Sequence, residues 1–353
     1  MLIFPLQPSP AYAIWEEANV RNKGLLAEIA LWLLVILVSP TLSKQPLAQE
    51  PHYQGRTLAE WQADFRDLSP EMRRRAAAAL GYFGSPAVPA LVTALRDLDT
   101  EVRMNAASSL GLIGPAAKDA ALALIQALRD AEPYVILGKP NVSQEVVETL
   151  GAIGPAAVPI LVQALEDDHT SVRIHAAEAL EKIGPGGKDA VPKLILALSD
   201  PERALRWTAT KTIGAIGPAA KDAVPGLIQV LAGEHDLLVQ REAVKALGQI
   251  GPAAKDAVPA LIQALAEERD PLGDLQLATV QALGAIGAAA VPALVQALGD
   301  PRTMVRGLAE KALGQIGPAA KDAVPQLRKL KDGDPDTDVR LQAGISLRVI
   351  ESR

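Results

Sequence analysis

The sequence contains no cysteine. That excludes disulfides, zinc–thiolate sites, iron–sulfur clusters and thiol catalysis. It leaves the compartment open, because a protein can be exported without disulfides. Histidine is scarce: His52, His169, His175 and His235 are the four present. Aromatics are 3 % of the 353 residues while hydrophobic residues are 49 %, so the core must be aliphatic. There is no excess of positive charge, since 35 basic residues face 41 acidic ones for a net charge of −6. Non-specific nucleic-acid binding needs a basic footprint, so nucleic acid is not an expected partner.

Residues 1–48 differ from the rest. Leu25 to Val38 is nearly all apolar, broken by Glu28, with Arg21 and Lys23 ahead of it. Ser39-Pro40-Thr41 ends the run. This pattern reads as an export signal, cleaved after Ser43 or Ala48. An uncleaved anchor, with residues 25–38 in the membrane, is the second reading, and a soluble docking helix the third. The uncharged run Ile29–Val38 has ten residues, short of the ~20 of a spanning helix. Met1 to Asn19 carries Glu16, Glu17 and three prolines, a poor fit to a signal's basic start. Translation from near Val20 would remove that misfit. Residues 49–54 read as a linker, and the remainder, 55–353, as one domain.

From Gly55 one unit recurs. It closes on Leu-Gly-x-Ile-Gly, with an Arg seven residues before the Leu. The closing glycines are Gly84, Gly114, Gly154, Gly184, Gly217, Gly251, Gly287 and Gly317, spaced by 30 to 40 residues. A degenerate unit ends at Leu347–Ile350. Such a period means a stacked repeat array, not two or three globular domains. Linkers come in a long form, Pro-Ala-Ala-Lys-Asp-Ala, and a short form, Pro-Ala-Ala-Val-Pro.

Each unit reads as two helices. In the first, such as Ala257–Leu265, Asp256 is the expected N-cap and Pro259 sits in the first turn. The second is typified by Val102–Gly114. Val102, Ala106, Leu110 and Ile113 form one apolar stripe there. Gly114 followed by Pro115 stops the helix. Strand signals are absent.

An Asp precedes an Arg by six residues in six units: Asp67/Arg73, Asp97/Arg103, Asp167/Arg173, Asp200/Arg206, Asp300/Arg306 and Asp334/Arg340. The helix wheel turns each Arg toward the packed stripe. A cation there needs a fixed acceptor, because burying it unpaired is costly. The Asp of the intervening turn is the expected acceptor, giving a stacked ladder. An anion-binding row of arginines is the alternative. The pattern lapses at Ser143, Gln240 and Gln276.

The recurring Asp-x-x-x-x-Val-Arg-x-x-Ala-Ala-x-x-Leu-Gly-x-Ile-Gly resembles the HEAT-like repeats of the phycobilisome-lyase type, over Gly55–Arg353. Tyr53-Gln54-Gly55-Arg56-Thr57-Leu58-Ala59-Glu60-Trp61 is similar to a cap often seen ahead of such arrays. The resemblance implies an all-α fold: a right-handed α-solenoid of about nine helical hairpins, here preceded by a hydrophobic helix. It implies either a scaffold or a bilin lyase or phycobilisome factor. The motif is structural and carries no catalytic residue. A di-iron hydroxylase branch uses His-Glu dipeptides, and no histidine here precedes Glu.

No cofactor or metal is expected. There is no phosphate loop and no nucleophile elbow. His169 and His175, near Asp167, Asp168 and Glu178, match no standard ligand spacing. Lys118-Asp119, Lys188-Asp189, Lys221-Asp222, Lys255-Asp256 and Lys321-Asp322 read as helix caps with a solvated lysine. Nine of eleven aromatics lie at or before Phe83, leaving Tyr134 and Trp207 beyond it. A tetrapyrrole cleft would want more. Trp207, on the flank of a second helix, reads as packing or as partner contact. Glu145, Glu148 and Glu178, then Lys211, Lys245 and Lys311, suggest an acidic-to-basic gradient along one face. An insertion at Ala131–Val142 carries Tyr134, Ile136 and Leu137 and either folds back or grips a partner. The expectation is a non-catalytic scaffold binding another protein, exported or membrane-tethered.

Overall fold

The computed structural model describes residues 50–130, 141–266 and 273–352. Its large compact unit is Tyr53–Arg353. The segment containing residues 25–38 and the insertion with Tyr134, Ile136 and Leu137 lie outside the described residues. Two strands, β1 (His52–Tyr53) and β2 (Arg56–Thr57), pair in a short hairpin that sequence patterning did not signal.

Nine helix pairs follow among the described residues. They are α1 (Leu58–Ala63) with α2 (Pro70–Leu80), α3 (Val88–Ala94) with α4 (Thr100–Ile113), and α5 (Ala121–Asp130) with α6 (Val142–Ile153). Next come α7 (Val158–Ala164) with α8 (Thr170–Ile183), α9 (Val191–Ala197) with α10 (Arg203–Ile216), and α11 (Val224–Gly233) with α12 (Leu237–Ile250). The last are α13 (Val258–Leu265) with α14 (Asp274–Ile286), α15 (Val291–Ala297) with α16 (Thr303–Ile316), and α17 (Val324–Gly333) with α18 (Thr337–Glu351). Each second helix packs on the second helix of the next unit, which makes the array an α-solenoid.

The motif residues explain the stacking. The Leu of Leu-Gly-x-Ile-Gly, replaced by Ile213 in the fifth unit, is buried in every unit, as at Leu80, Leu110, Leu150 and Leu180. First helices from α3 onward bury at least one Leu each toward it, such as Leu91, Leu161 and Leu261, and α1 buries Trp61. The first motif glycine allows close helix approach: a Cβ on Gly248 would lie 3.0 Å from Ala282 Cα. The second takes φ between 60° and 79°, a region hostile to residues with a Cβ. Where the next helix carries a hydroxyl, it donates across the joint. Ser109 Oγ reaches Ala77 O at 2.7 Å, Thr149 Oγ1 reaches Ala107 O at 2.7 Å, and Thr212 Oγ1 reaches Ala177 O at 2.9 Å.

The expected cap at Asp256 is not formed. Gly251–Ala257 is a 3₁₀ helix that runs into α13, and Ala257 holds the cap position without a side-chain bond. Val258 N–H already donates to Lys255 O, so little is left for a carboxylate to satisfy. The other Lys-Asp linkers repeat this geometry. Apart from α1, which Thr57 and Glu60 cap reciprocally, side-chain caps sit instead on second helices. Asp99 accepts from Glu101 N and Val102 N, and Asp236 from Leu238 N and Val239 N.

The ladder differs from its expected form in one respect. The Asp six residues before an Arg gives its backbone carbonyl, while the carboxylate comes from the next unit. Arg73 donates to Asp67 O at 3.0 Å and pairs with Asp97 at 2.7 Å. Arg173 donates to Asp167 O at 2.8 Å and lies 3.5 Å from Asp200. Arg206 donates to Asp200 O at 3.0 Å and pairs with Glu234 at 2.7 Å. Arg306 donates to Asp300 O at 3.0 Å and pairs with Asp334 at 2.8 Å. The carboxylate's second task fixes this arrangement: it also accepts from the N–H two residues on, as Asp97 does from Asp99 N. Arg103 and Arg340 make the carbonyl bond, to Asp97 O at 2.8 Å and Asp334 O at 2.6 Å.

The lapses are repaired locally. Arg129 replaces the missing Ser143 cation and pairs with Asp167. Gln240 Nε2 keeps the carbonyl bond, to Glu234 O at 2.8 Å. In the unit after Gln276, Asp300 pairs with Arg302 at 2.9 Å.

Three stretches have the length and apolarity of a membrane span: Thr100–Arg129, Val142–Ala164 and Asp274–Ala297. Each is two helices interrupted at a glycine of positive φ, with roughly half of its apolar window buried in the array. They are packed hairpins of the solenoid.

Candidate protein-interaction surface

The positions one and five residues after the ladder arginine face outward on every second helix. Trp207 and Lys211 are such a pair on α10. Trp207 is half-buried, packed against the core. Lys211 Nζ stands 5.3 Å from the Trp207 ring centroid and 2.9 Å from Glu181 Oε1. A cation held over an indole by a neighbouring carboxylate is a pre-ordered polar contact beside an apolar one.

Three residues of the expected gradient, Glu148, Lys211 and Lys245, form ion pairs between or within units. Lys182 pairs with Glu148 at 2.8 Å, Lys211 with Glu181 at 2.9 Å, and Lys245 with Glu242 at 2.7 Å. Exposed pairs of this kind contribute little to stability. They do hold the charges in register along the row. Burial raises the Glu178 carboxyl, and Glu181 adds to that, against the pull of His175, Lys211 and Lys182.

Toward the C-terminal end the same row turns apolar. Leu341, Ile345 and Val349 form an exposed stripe on α18, with Leu277 and Met304 exposed on α14 and α16. A groove of about 470 Å³ lies between α16 and α18, walled by apolar Met304, Leu308 and Leu341 and by polar Lys311, Asp336, Asp338 and Gln342. Gly307 leaves the groove open, since a Cβ there would touch nothing within 4 Å. Sequence patterning drew attention to Trp207, Lys211 and Lys245 but not to this groove. The apolar stripe beside it was visible in sequence as the loss of polar residues at Ile345 and Val349, where Lys311 and Gln315 stand one unit earlier.

His169 Nδ1 lies 3.1 Å from Asp167, which is already paired with Arg129. Among the described residues no group of three or more His, Cys, Asp or Glu could hold a metal ion. The Lys-Asp linker residues are exposed.

The HEAT-repeat family profile matches residues 61–139, 137–195, 191–273 and 258–348. A comparison with curated proteins finds no match. Among solved structures the chain is similar to importin beta, at 14% identity and a TM-score of 0.53, over 83% of this chain and 48% of that one. It is similar to Kap95p, solved with RanGDP, at 14% identity and a TM-score of 0.51, over 83% and 47%. An engineered protein matches at 24% identity and a TM-score of 0.47, over 84% and 89%. The chain spans about half the length of importin beta and Kap95p, and the likeness is one of fold. The matched residues run through all nine units, and the chain belongs to the HEAT-repeat family.

Proposed function

We propose that this solenoid is a non-catalytic scaffold that binds a protein partner along its second-helix surface, centred on Trp207 and Lys211. The carrying observation is Trp207 itself. It is the one tryptophan beyond Trp61, it is partly exposed, and an ion pair positions a lysine over its ring. Tryptophan is among the residues most enriched at the energetic centres of protein interfaces. Kap95p, of the same fold, binds RanGDP, which supports protein binding by this architecture and says nothing of this chain's surface or partner.

The test is affinity capture from the source cell with the full chain, Trp207→Ala and Lys211→Glu. A variant at Leu196, exposed on first helix α9, serves as control. Trp207→Ala should weaken capture by about 2 kcal/mol, or about thirtyfold in Kd. Capture unchanged by either surface variant would end this reading.

Residues 25–38 support a tether to, or export across, a membrane. The unit motif favours a second reading, a phycobilisome-directed lyase or factor of the resembled type. Cell fractionation with the intact mass of the protein separates them: a cytoplasmic form would put the second reading first.

A further inference from the structure

The joint between the eighth and ninth units holds an ionisable group that scaffolding does not require. Glu310 lies on α16, four residues after Arg306, with 0 % of its surface exposed. Neither carboxyl oxygen has a hydrogen-bond partner among the described residues. Equivalent positions in other units hold small or apolar residues, among them Ala77, Ala107, Ala177, Val244 and Gly344.

Arg306 has nothing left to offer it. A guanidinium has five N–H donors. Nε donates to Asp334 Oδ2 at 2.8 Å, and Nη2 to Asp334 Oδ1 at 3.0 Å. Nη1 donates to Asp300 O and Pro301 O, both at 3.0 Å. The second Nη2 hydrogen points to Thr303 Oγ1 at 3.4 Å. A charged Glu310 could gain a cation only by taking Arg306 from Asp334, which is the contact that couples α16 to the ninth unit.

The charged groups acting on Glu310 are few. Arg306 is on its own helix, and Asp334 comes from the turn between α17 and α18. Arg340 of α18 holds Asp334 O at 2.6 Å. Helix α15 carries no ionisable residue, and α14 carries Asp274, which pairs with Arg241 at 3.0 Å. The other charged residues of α16, α17 and α18 are exposed. Burial first, then the Asp334 charge, push the Glu310 carboxyl up to about 8, against the pull of Arg306. Ser346 Oγ of α18 donates to Glu310 O at 2.9 Å, so the same residue touches the ninth unit through its backbone.

We propose that Glu310 is a proton-dependent latch on this joint. Protonated, it leaves Arg306 to Asp334 and the ninth unit stays docked. Ionised, with its proton released to solvent, it competes with Asp334 for Arg306 and the ninth unit loosens.

The test is hydrogen exchange by mass spectrometry on the full chain, corrected for intrinsic exchange, at about pH 6.5 and about pH 9.5. In the wild type, protection of α17 and α18 should fall about tenfold relative to α3 and α4 as pH rises. In Glu310→Gln that ratio should stay constant. Glu310→Ala, which installs the residue of the second and fourth units, should be equally flat and decides the matter if the Gln variant folds poorly. A constant wild-type ratio, or an equal fall in the variants, overturns the latch.

Discussion

A ladder arginine is useful because its donors divide between two units. Arg306 spans Asp300 O in its own unit and the Asp334 carboxylate in the next. Its side chain is 9 % exposed and that of Asp334 3 %, so the pair is shielded from water. Removing one partner leaves the other charge buried, which costs about 3–5 kcal/mol. Arg306→Ala should therefore lower the unfolding free energy by about that much. Joint replacement, Arg306→Met with Asp334→Leu, should recover most of it, as chemical denaturation would show. Gly248 makes a steric argument at the same scale. With a Cβ 3.0 Å from the Ala282 backbone, Gly248→Ala should cost about 1–3 kcal/mol by overpacking. The arginines were legible because their spacing was regular. Their acceptors were not, since the carboxylate arrives from 24 to 28 residues away, as for Arg73 and Arg306. Glu234 escaped because it replaces an Asp in the pattern. Glu310 breaks the Ala-Ala of the motif, a departure visible in sequence but without meaning until its burial is known.

At the scale of helices, the pairs follow from periodicity and from the Gly-Pro stops. Their starts do not. Asp256 has the composition of an N-cap, yet the 3₁₀ linker uses up the donors that a cap would satisfy. The second helices are the ones that need capping, and Asp99, Asn141 and Asp236 supply it. Between helices, hydroxyls tie one second helix to the previous one at positions that otherwise carry Ala, such as Ala179 and Ala246. Thr149→Val should lose the bond to Ala107 O, a carbonyl that keeps its own helix partner, at a cost of about 1 kcal/mol. A thermal transition unchanged by this substitution would show that the hydroxyl row is incidental.

For the whole molecule, stability is nearly a sum over units and joints. The joints respond to pH in two opposite senses. Arg73 holds Asp97 below the usual carboxylate range, Arg74 takes Asp99 to about 2, and Arg302 takes Asp300 to about 2. Burial alone would raise Asp334, but the hydrogen bonds from Arg306 and Asp336 N–H pull it below its usual value. Groups depressed by folding contribute stability above their ordinary pKa, near 4, and lose it as pH falls through the depressed values. Glu310 is raised by folding, so it costs stability progressively as pH climbs from its ordinary value of 4.5 to about 8. Melting temperature against pH should peak between these ranges, and Glu310→Gln should flatten the alkaline side alone. A profile unaltered by that substitution would mean the carboxyl is solvated.

The array and its nine pairs were readable from one repeated motif. The surface was readable only as far as Trp207 and Lys211, because an outward position is known from the wheel while its pairing with Glu181 depends on the neighbouring helix. The most direct test of the account is photo-crosslinking in the source cell. A photo-reactive residue is placed at Lys182, on the same surface row as Lys211, and in a second protein at Leu196 on the first-helix side. The account predicts crosslinks to one defined protein from position 182 and none from 196. Equal labelling from both positions, or labelling from 196 alone, would contradict it.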